Sequence, residues 1–116
     1  MIRLDLHTHS TGSPDGGIRL EEYKKLLDDK DLDVIAITDH DSIEQAVTIQ
    51  KQLGERSIVG EEITTKDGEI IGLYLTQKIA PGLSAKDTVA ALLPAPPTDI
   101  LTFPKHRYSY PCGHII

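Results

Sequence analysis

The N-terminal part of the chain changes from alternating to helical hydrophobic spacing and then to a continuous apolar run. Residues 2–9 alternate apolar and polar side chains, which predicts a β-strand with its apolar residues on one face. Turn-forming residues crowd positions 10–17, and apolar residues then recur at helical spacing over residues 20–29. Residues 33–38, DVIAIT, form an apolar run that is typical of a strand buried on both faces.

The following segments continue this exchange of helix and strand. Ser42, with Gln45 three residues later, resembles a capping box and predicts the start of a second helix that ends at a glycine. Residues 57–65 predict a third strand, which an Asp-Gly turn joins to residues 69–75 as a hairpin. A further capped helix is expected to end at about residue 93.

The order of the elements predicts the fold class. Strand, helix, strand, helix and strand in succession indicate an α/β protein built from right-handed βαβ units around a parallel sheet. The pattern ends near residue 90, and prolines then crowd a tail without clean periodicity. We therefore divide the chain into a patterned portion, residues 1–90, and a proline-rich tail, residues 91–116.

Charge and composition restrict the function. The 116 residues carry a net charge of −6, so affinity for long nucleic acid is not expected. Small phosphorylated molecules stay open as substrates, because bound cations can supply the positive charge. The lone Cys112 cannot form an internal disulfide, and no apolar run approaches membrane-spanning length. We therefore expect a cytoplasmic protein without a membrane partner.

His7 and His9 are the first candidate metal ligands. Two residues apart on a strand, their side chains share one face, so both imidazoles can reach one ion. A His-x-His pair that stands alone is more often two polar side chains at an exposed strand end.

His40 follows the apolar run of residues 33–38, at the end of a predicted parallel strand. Ligands and catalytic groups collect at the carboxyl ends of such strands. Asp39 or Asp41 is placed to orient the imidazole. Alternatively, Asp41 or Ser42 only caps the next helix.

Acidic residues complete the set of candidates. Glu61 and Glu62 must point to opposite faces of a strand, and one that points into a barrel needs cations beside it. The alternative is a pair of solvated glutamates on an edge strand. Asp15, between Pro14 and a glycine, predicts by itself only a turn.

Taken together, these motifs resemble the PHP (polymerase and histidinol phosphatase) family over about residues 1–90. The matching motifs are His7-Thr8-His9-Ser10, Ser13-Pro14-Asp15-Gly16, Ile37-Thr38-Asp39-His40-Asp41 and Gly60-x-Glu62-Ile63-Thr64. The resemblance implies a distorted (β/α)7 barrel, of which this chain is expected to form an incomplete N-terminal part. It also implies two or three divalent ions (manganese, zinc or iron) and the hydrolysis of phosphoesters.

The resemblance implies a role for each matching residue. His7 and His9 correspond to ligands of a first ion, and Glu62 to a bridge between the first ion and a second. Asp15 and His40 correspond to ligands of a third ion.

The resemblance also marks two candidate catalytic residues and one departure. Asp39, behind the ligands, and His40 are the candidate catalytic residues. Glu69 stands where many family members carry a histidine ligand to the second ion. A glutamate there favours manganese or magnesium, unless Glu69 is an ordinary hairpin residue.

Two motifs of the family, a later His-Pro pair and an Asp-x-His, do not occur in this chain. Phe103-Pro104-Lys105-His106 has the histidine after the proline at the wrong spacing, and His114 matches no motif. The leading hypothesis is a phosphoesterase that hydrolyses a phosphomonoester or nucleotide with metal-activated water, and whose activity is impaired in this chain.

Two other functions stay open. A non-catalytic PHP-derived remnant would bind a metal or a partner without turnover. Amidohydrolase barrels also begin with His-x-His, but the motifs around His40 and Glu62 favour a phosphoesterase. In either case we expect an open barrel edge and an uncovered apolar face on residues 33–38, through which the chain forms a homo-oligomer.

Overall fold

Strands and helices alternate along residues 1–93, which are the part of the chain that the computed structural model describes. The elements are β1 (Leu4–Thr8), α1 (Leu20–Asp28), β2 (Val34–Ile37), α2 (Glu44–Leu53), β3 (Ser57–Thr65), β4 (Gly68–Leu73) and α3 (Ala85–Leu92), with a 3₁₀ turn at Gly54–Arg56. The predictions for the proline-rich tail, for residues 103–106, for Cys112 and for His114 lie outside residues 1–93.

The four strands form one curled sheet in the order β1-β2-β3-β4, which is about half of a barrel. β1, β2 and β3 run parallel, and α1 and α2 form the two crossovers between them. β4 returns antiparallel to β3 as a hairpin. The predicted α/β class, the parallel sheet and the hairpin are confirmed. The arrangement agrees with part of a PHP barrel.

Apolar side chains cover both faces of β2. Ile35 and Ile37 pack against α1 and α2, and Ala36 packs on the opposite face with Ile58 of β3. Ile35, Ala36 and Ile37 are fully buried. The expectation of an uncovered apolar face on residues 33–38 is therefore wrong, because β2 lies inside the sheet and has neighbours on both faces.

β1 contains a bulge that changes which way its side chains point. Between Asp5 and Thr8, β1 holds one residue more than the paired segment of β2. Leu6 packs on the same face as Ala36, whereas strict alternation would place Thr8 there too. Instead the Thr8 hydroxyl contacts Tyr23 of α1 on the helix-covered face. The bulge thus leaves His7 and His9, beside and just after the end of β1, on the face opposite α1.

The second helix starts differently from the prediction. Its N-cap is Ile43, and Ser42 Oγ accepts from the backbone N–H of Glu44 at 3.3 Å, so the predicted capping box is wrong. The chain still pairs with β3 at His40, which delays the start of the helix. The predicted cap of α3 is confirmed, since Ser84 Oγ accepts from the Asp87 N–H at 3.1 Å. Within residues 1–93, no helix has the length and apolar character needed to cross a bilayer.

Candidate metal centre

The candidate ligands meet where the parallel strands end. β1 contributes one histidine and the residue after its end a second, while the residues after β2 contribute a third. A glutamate comes from the middle of β3 and another from β4, while an aspartate lies in the turn after β1. The side chains concerned are His7, His9, Asp15, His40, Glu62 and Glu69. The structure thus brings together all six residues that the sequence proposed as metal ligands.

One carboxylate oxygen of Glu62 lies at the centre of the first group. His7 Nε2 is 2.9 Å and His9 Nε2 is 2.7 Å from Glu62 Oε1. The Glu62 side chain is only 9% exposed. Two imidazole nitrogens that converge on one buried oxygen form the geometry in which a cation can bind all three atoms.

Asp15 joins His9 to His40. Its Oδ1 lies 3.2 Å from His9 Nδ1, and its Oδ2 lies 3.3 Å from His40 Nε2. The turn that carries Asp15 is tight, since a Cβ atom at Gly16 would lie 2.7 Å from His9 Cβ. The glycine after Asp15 therefore allows the turn to approach the histidine closely.

Glu69 reaches the same group from the hairpin. Its Oε2 lies 3.3 Å from His40 Nδ1, and His40 Nε2 lies 3.8 Å from Glu62 Oε1. The pairing of Glu69 with Thr64 across the hairpin places its side chain beside these residues. Glu69 is therefore positioned as a candidate ligand as well as a hairpin residue.

The six side chains form three overlapping groups of potential ligands. Within each group, the ligand atoms lie within 4.8 Å of one another. The groups are His7-His9-Glu62, His9-Asp15-His40 and His40-Glu62-Glu69. This chemistry fits divalent cations, since each group combines imidazole nitrogen with carboxylate oxygen.

Asp39 organises the loop that carries Asp15. Its buried carboxylate accepts hydrogen bonds from Ser10 N (2.6 Å), Ser10 Oγ (2.5 Å) and Ser13 Oγ (2.9 Å). Ser13 Oγ also accepts from the backbone N–H of His40 at 3.0 Å. Asp39 thus acts through the loop and the backbone. Ser10 and Ser13 both occur in the motifs quoted from the sequence, but no local pattern indicates that they hold this loop.

Asp41 extends the pairing of β2 and β3 towards the site. Its carboxylate accepts from the backbone N–H and the hydroxyl of Thr64, each at 2.8 Å. Its own N–H donates to the Glu62 carbonyl at 3.0 Å, and its φ of 49° lies in the left-handed region. The hydrogen bonds of Asp39 and Asp41 therefore go to the loop and to β3. Within residues 1–93, the ring nitrogens of His40 instead contact Asp15, Glu62 and Glu69. The prediction that Asp39 or Asp41 orients the imidazole is therefore wrong.

Glu61 points away from Glu62, as predicted for neighbours on a strand. Its side chain is fully buried, and its Oε1 accepts from the backbone N–H of Ile79 at 2.9 Å. Its Oε2 has no hydrogen-bond partner among residues 1–93. Burial raises the pKa of Glu61 to about 7, although the N–H of Ile79 opposes this increase. The alternative of two solvated edge glutamates is wrong, because both carboxylates are buried.

The pKa values of Glu62 and Glu69 shift in opposite directions. Burial raises the pKa of Glu62, but hydrogen bonds from His7 and His9 and the charge of His40 outweigh it, so that the pKa falls below its usual value. The pKa of Glu69 is raised, first by desolvation and then by the nearby Glu62 carboxylate. The histidines therefore keep the central carboxylate ionised, as a metal ligand must be.

The chain matches known proteins over most of its length. The PHP domain family model matches residues 5–102. An uncharacterized protein of Methanocaldococcus jannaschii is 35% identical over 101 aligned residues, which cover 76% of this chain and 59% of that protein. The chain thus spans less than two-thirds of the length of this relative.

Proposed function

Because the chain belongs to the PHP domain family, we propose that it is a metal-dependent phosphoesterase. The family suggests metal-dependent hydrolysis of phosphoesters, and we assign this chemistry to the six side chains described above. The observation that carries it is the shared Glu62 oxygen, which lies within 2.9 Å of both His7 and His9. A carboxylate held this way is suited to contact one cation, or to bridge two.

The donor set supports metal-dependent catalysis. Each group offers three side-chain ligands, and catalytic zinc sites typically have three protein ligands and an open position. His7 and His9 would hold one ion with Glu62, and His40 would hold another with Asp15. When bound, such cations activate water for attack and neutralise charge on the phosphate.

The serines beside the site favour attack by water over attack by a side chain. Ser10 Oγ and Ser13 Oγ both donate to the buried Asp39 carboxylate. A serine nucleophile needs a neighbouring base that accepts its proton while the oxygen faces the substrate. These hydroxyls are instead engaged in holding the loop, so their structural role leaves hydrolysis to water.

The acidic balance of the chain guides the choice of substrate. With a net charge of −6, the protein is expected to repel long nucleic acid. We propose a small phosphorylated metabolite or a nucleotide, whose charge bound cations would compensate locally. The cytoplasm, where such compounds are abundant, is the proposed location.

A second candidate is a unit that binds metal or a partner protein without catalysis. It is favoured by the sharing of ligands, because His9, His40 and Glu62 each belong to two of the three groups. Because of this sharing, the side chains of residues 1–93 form fewer complete ion sites than three groups without common members would. Catalysis by clustered ions depends on fixed positions, so partial occupancy permits binding without turnover.

Metal content and turnover on the same sample test these alternatives. We expect bound zinc or manganese by elemental analysis after native purification, and slow hydrolysis of p-nitrophenyl phosphate and nucleotides that a chelator abolishes. Glu21→Gln, which removes an exposed carboxylate of α1, is the control and should match the unaltered protein. Bound metal without turnover would support the non-catalytic unit. Turnover unaffected by chelator would contradict the proposed function.

A further inference from the structure

The two ends of the metal centre differ in their donor atoms. At one end, His7 and His9 contribute two imidazole nitrogens and Glu62 one carboxylate oxygen. At the other end, Glu62 and Glu69 contribute two carboxylates and His40 one nitrogen. Nitrogen-rich sites suit zinc, whereas carboxylate-rich sites suit magnesium and manganese.

We infer that the centre holds two different metals: zinc at the His7-His9-Glu62 end, and manganese or magnesium at the His40-Glu62-Glu69 end. This inference deepens the proposed function, because it rests on the same site and names the ions that its two ends select. Glu69 is then the residue that determines the second metal.

The position of His40 strengthens the contrast between the two ends. Its Nδ1 lies 3.3 Å from Glu69, while its Nε2 lies 3.3 Å from Asp15. A neutral imidazole offers only one nitrogen with a free lone pair. If His40 binds an ion beside Asp15, the Glu62-Glu69 end retains only carboxylates. With either nitrogen as the ligand, oxygen donors predominate at that end.

The exposure of Glu69 leaves space for a hydrated ion. The Glu69 side chain is 46% exposed, whereas the shared Glu62 side chain is 9% exposed. Magnesium keeps several water ligands and is usually bound by one or two carboxylates, which requires open space. Zinc completes a tetrahedral site with one further ligand. Because the His7 side chain at the other end is 41% exposed as well, the donor atoms, and not exposure, distinguish the two ends.

The hairpin holds Glu69 in a defined position. Thr64, its partner across β3 and β4, donates two hydrogen bonds to the Asp41 carboxylate at 2.8 Å. Asp41 in turn follows His40 and donates its N–H to the Glu62 carbonyl. The backbone segments that carry His40, Glu62 and Glu69 are thus tied together, so the selectivity is built into the fold.

Metal analysis of three variants tests the inference. Metal-free protein receives one equivalent of zinc and an excess of manganese, and free ions are then removed. We expect about one zinc and one manganese ion per chain, by elemental analysis and by the electron paramagnetic resonance of manganese. Glu69→Gln should lose manganese and keep zinc, whereas His7→Ala should weaken zinc and keep manganese. Glu69→His should accept a second zinc when zinc is raised to two equivalents.

Opposite results overturn the inference. It fails if the unaltered protein binds no manganese under these conditions, or if Glu69→Gln and His7→Ala lose both metals in the same proportion. Circular dichroism identifies a variant that does not fold. If Glu69→Gln does not fold, the zinc content of Glu69→His is compared with that of the unaltered protein instead. Turnover is measured separately: a protein with both metals and no hydrolysis would support the inference and contradict the proposed function.

Discussion

Tyr23 of α1 donates its phenolic hydrogen to Thr8 Oγ1 over 2.8 Å, directly beneath the bulge in β1. The direction follows from the other contact of Thr8, whose hydroxyl donates to the Ala36 carbonyl at 2.7 Å. Burial raises the pKa of Tyr23 to about 12, so this donor stays protonated at neutral pH. A part-buried hydrogen bond on one face of the sheet thus supports the histidines on the other.

Tyr23→Phe tests this support. The variant keeps the ring in the core but leaves Thr8 Oγ1 without its donor, and we expect a loss of about 1 kcal/mol in the free energy of unfolding. Because the bulge positions His7 and His9, zinc affinity should also fall. Thr8→Ser, which keeps the hydroxyl, is the control. A Tyr23→Phe protein with unchanged zinc affinity by calorimetry would show that the bulge does not depend on this bond.

Asp39→Asn tests the loop that carries Asp15. An amide replaces one acceptor oxygen with a donor, so at least one of the three bonds from Ser10 and Ser13 is lost. We expect metal affinity to fall about 10–100-fold, as for other groups that orient ligands. Asp31→Asn, an exposed carboxylate outside the site, is the control. Equal metal affinity in the two variants would count against the positioning role of Asp39.

Glu61→Gln tests the buried carboxylate behind the site. The folded-state pKa of about 7 lies above the reference value of 4.5, so the fold favours protonated Glu61. The stability this contributes is fully present below pH 4.5 and is lost as the pH rises through about 7. Glutamine lacks this titration. We compare the free energy of unfolding of the variant with that of the unaltered protein at each pH. This difference should favour the variant by roughly 3 kcal/mol more at pH 8 than at pH 4.

Urea denaturation of metal-free protein at several pH values measures this difference. Glu21→Gln should follow the pH dependence of the unaltered protein, because its side chain is exposed. If the two glutamine variants showed the same pH dependence, Glu61 would titrate normally in the folded state.

Leu4→Lys tests the proposed association through the edge of the sheet. Among residues 1–93, β1 pairs with β2 alone, and Ile2 and Leu4 are 73% and 51% exposed. A lysine on an edge strand opposes pairing with a second copy. Sedimentation should show concentration-dependent association of the unaltered chain and less association of Leu4→Lys. Leu83→Lys, an exposed apolar position elsewhere, should associate like the unaltered chain. A monomeric unaltered protein would contradict the prediction.

Local sequence signals predicted much of the fold. The apolar run of β2, the turn of the hairpin and the cap at Ser84 each depend on neighbouring residues, and the structure confirms them. The convergence of His7 and Glu62 was also predicted, because parallel strands bring their carboxyl ends to one side of a sheet.

Long-range pairing determined what the sequence did not reveal. The bulge in β1 depends on its register with β2, so alternation alone would place Thr8 on the wrong face. Asp39 accepts bonds from a loop 26 to 29 residues earlier, which no local pattern indicates. Ser42 lost its predicted capping role because His40 pairs with β3 first.

The most direct test of the central claim is the metal content and phosphatase turnover of Glu62→Gln. The substitution keeps the size of the side chain but removes the charge at the oxygen shared by His7 and His9. We expect metal affinity to fall more than about 10-fold, and chelator-sensitive hydrolysis of p-nitrophenyl phosphate to be lost from a folded protein. Unchanged metal content and turnover in Glu62→Gln would contradict the assignment of this site as the catalytic metal centre.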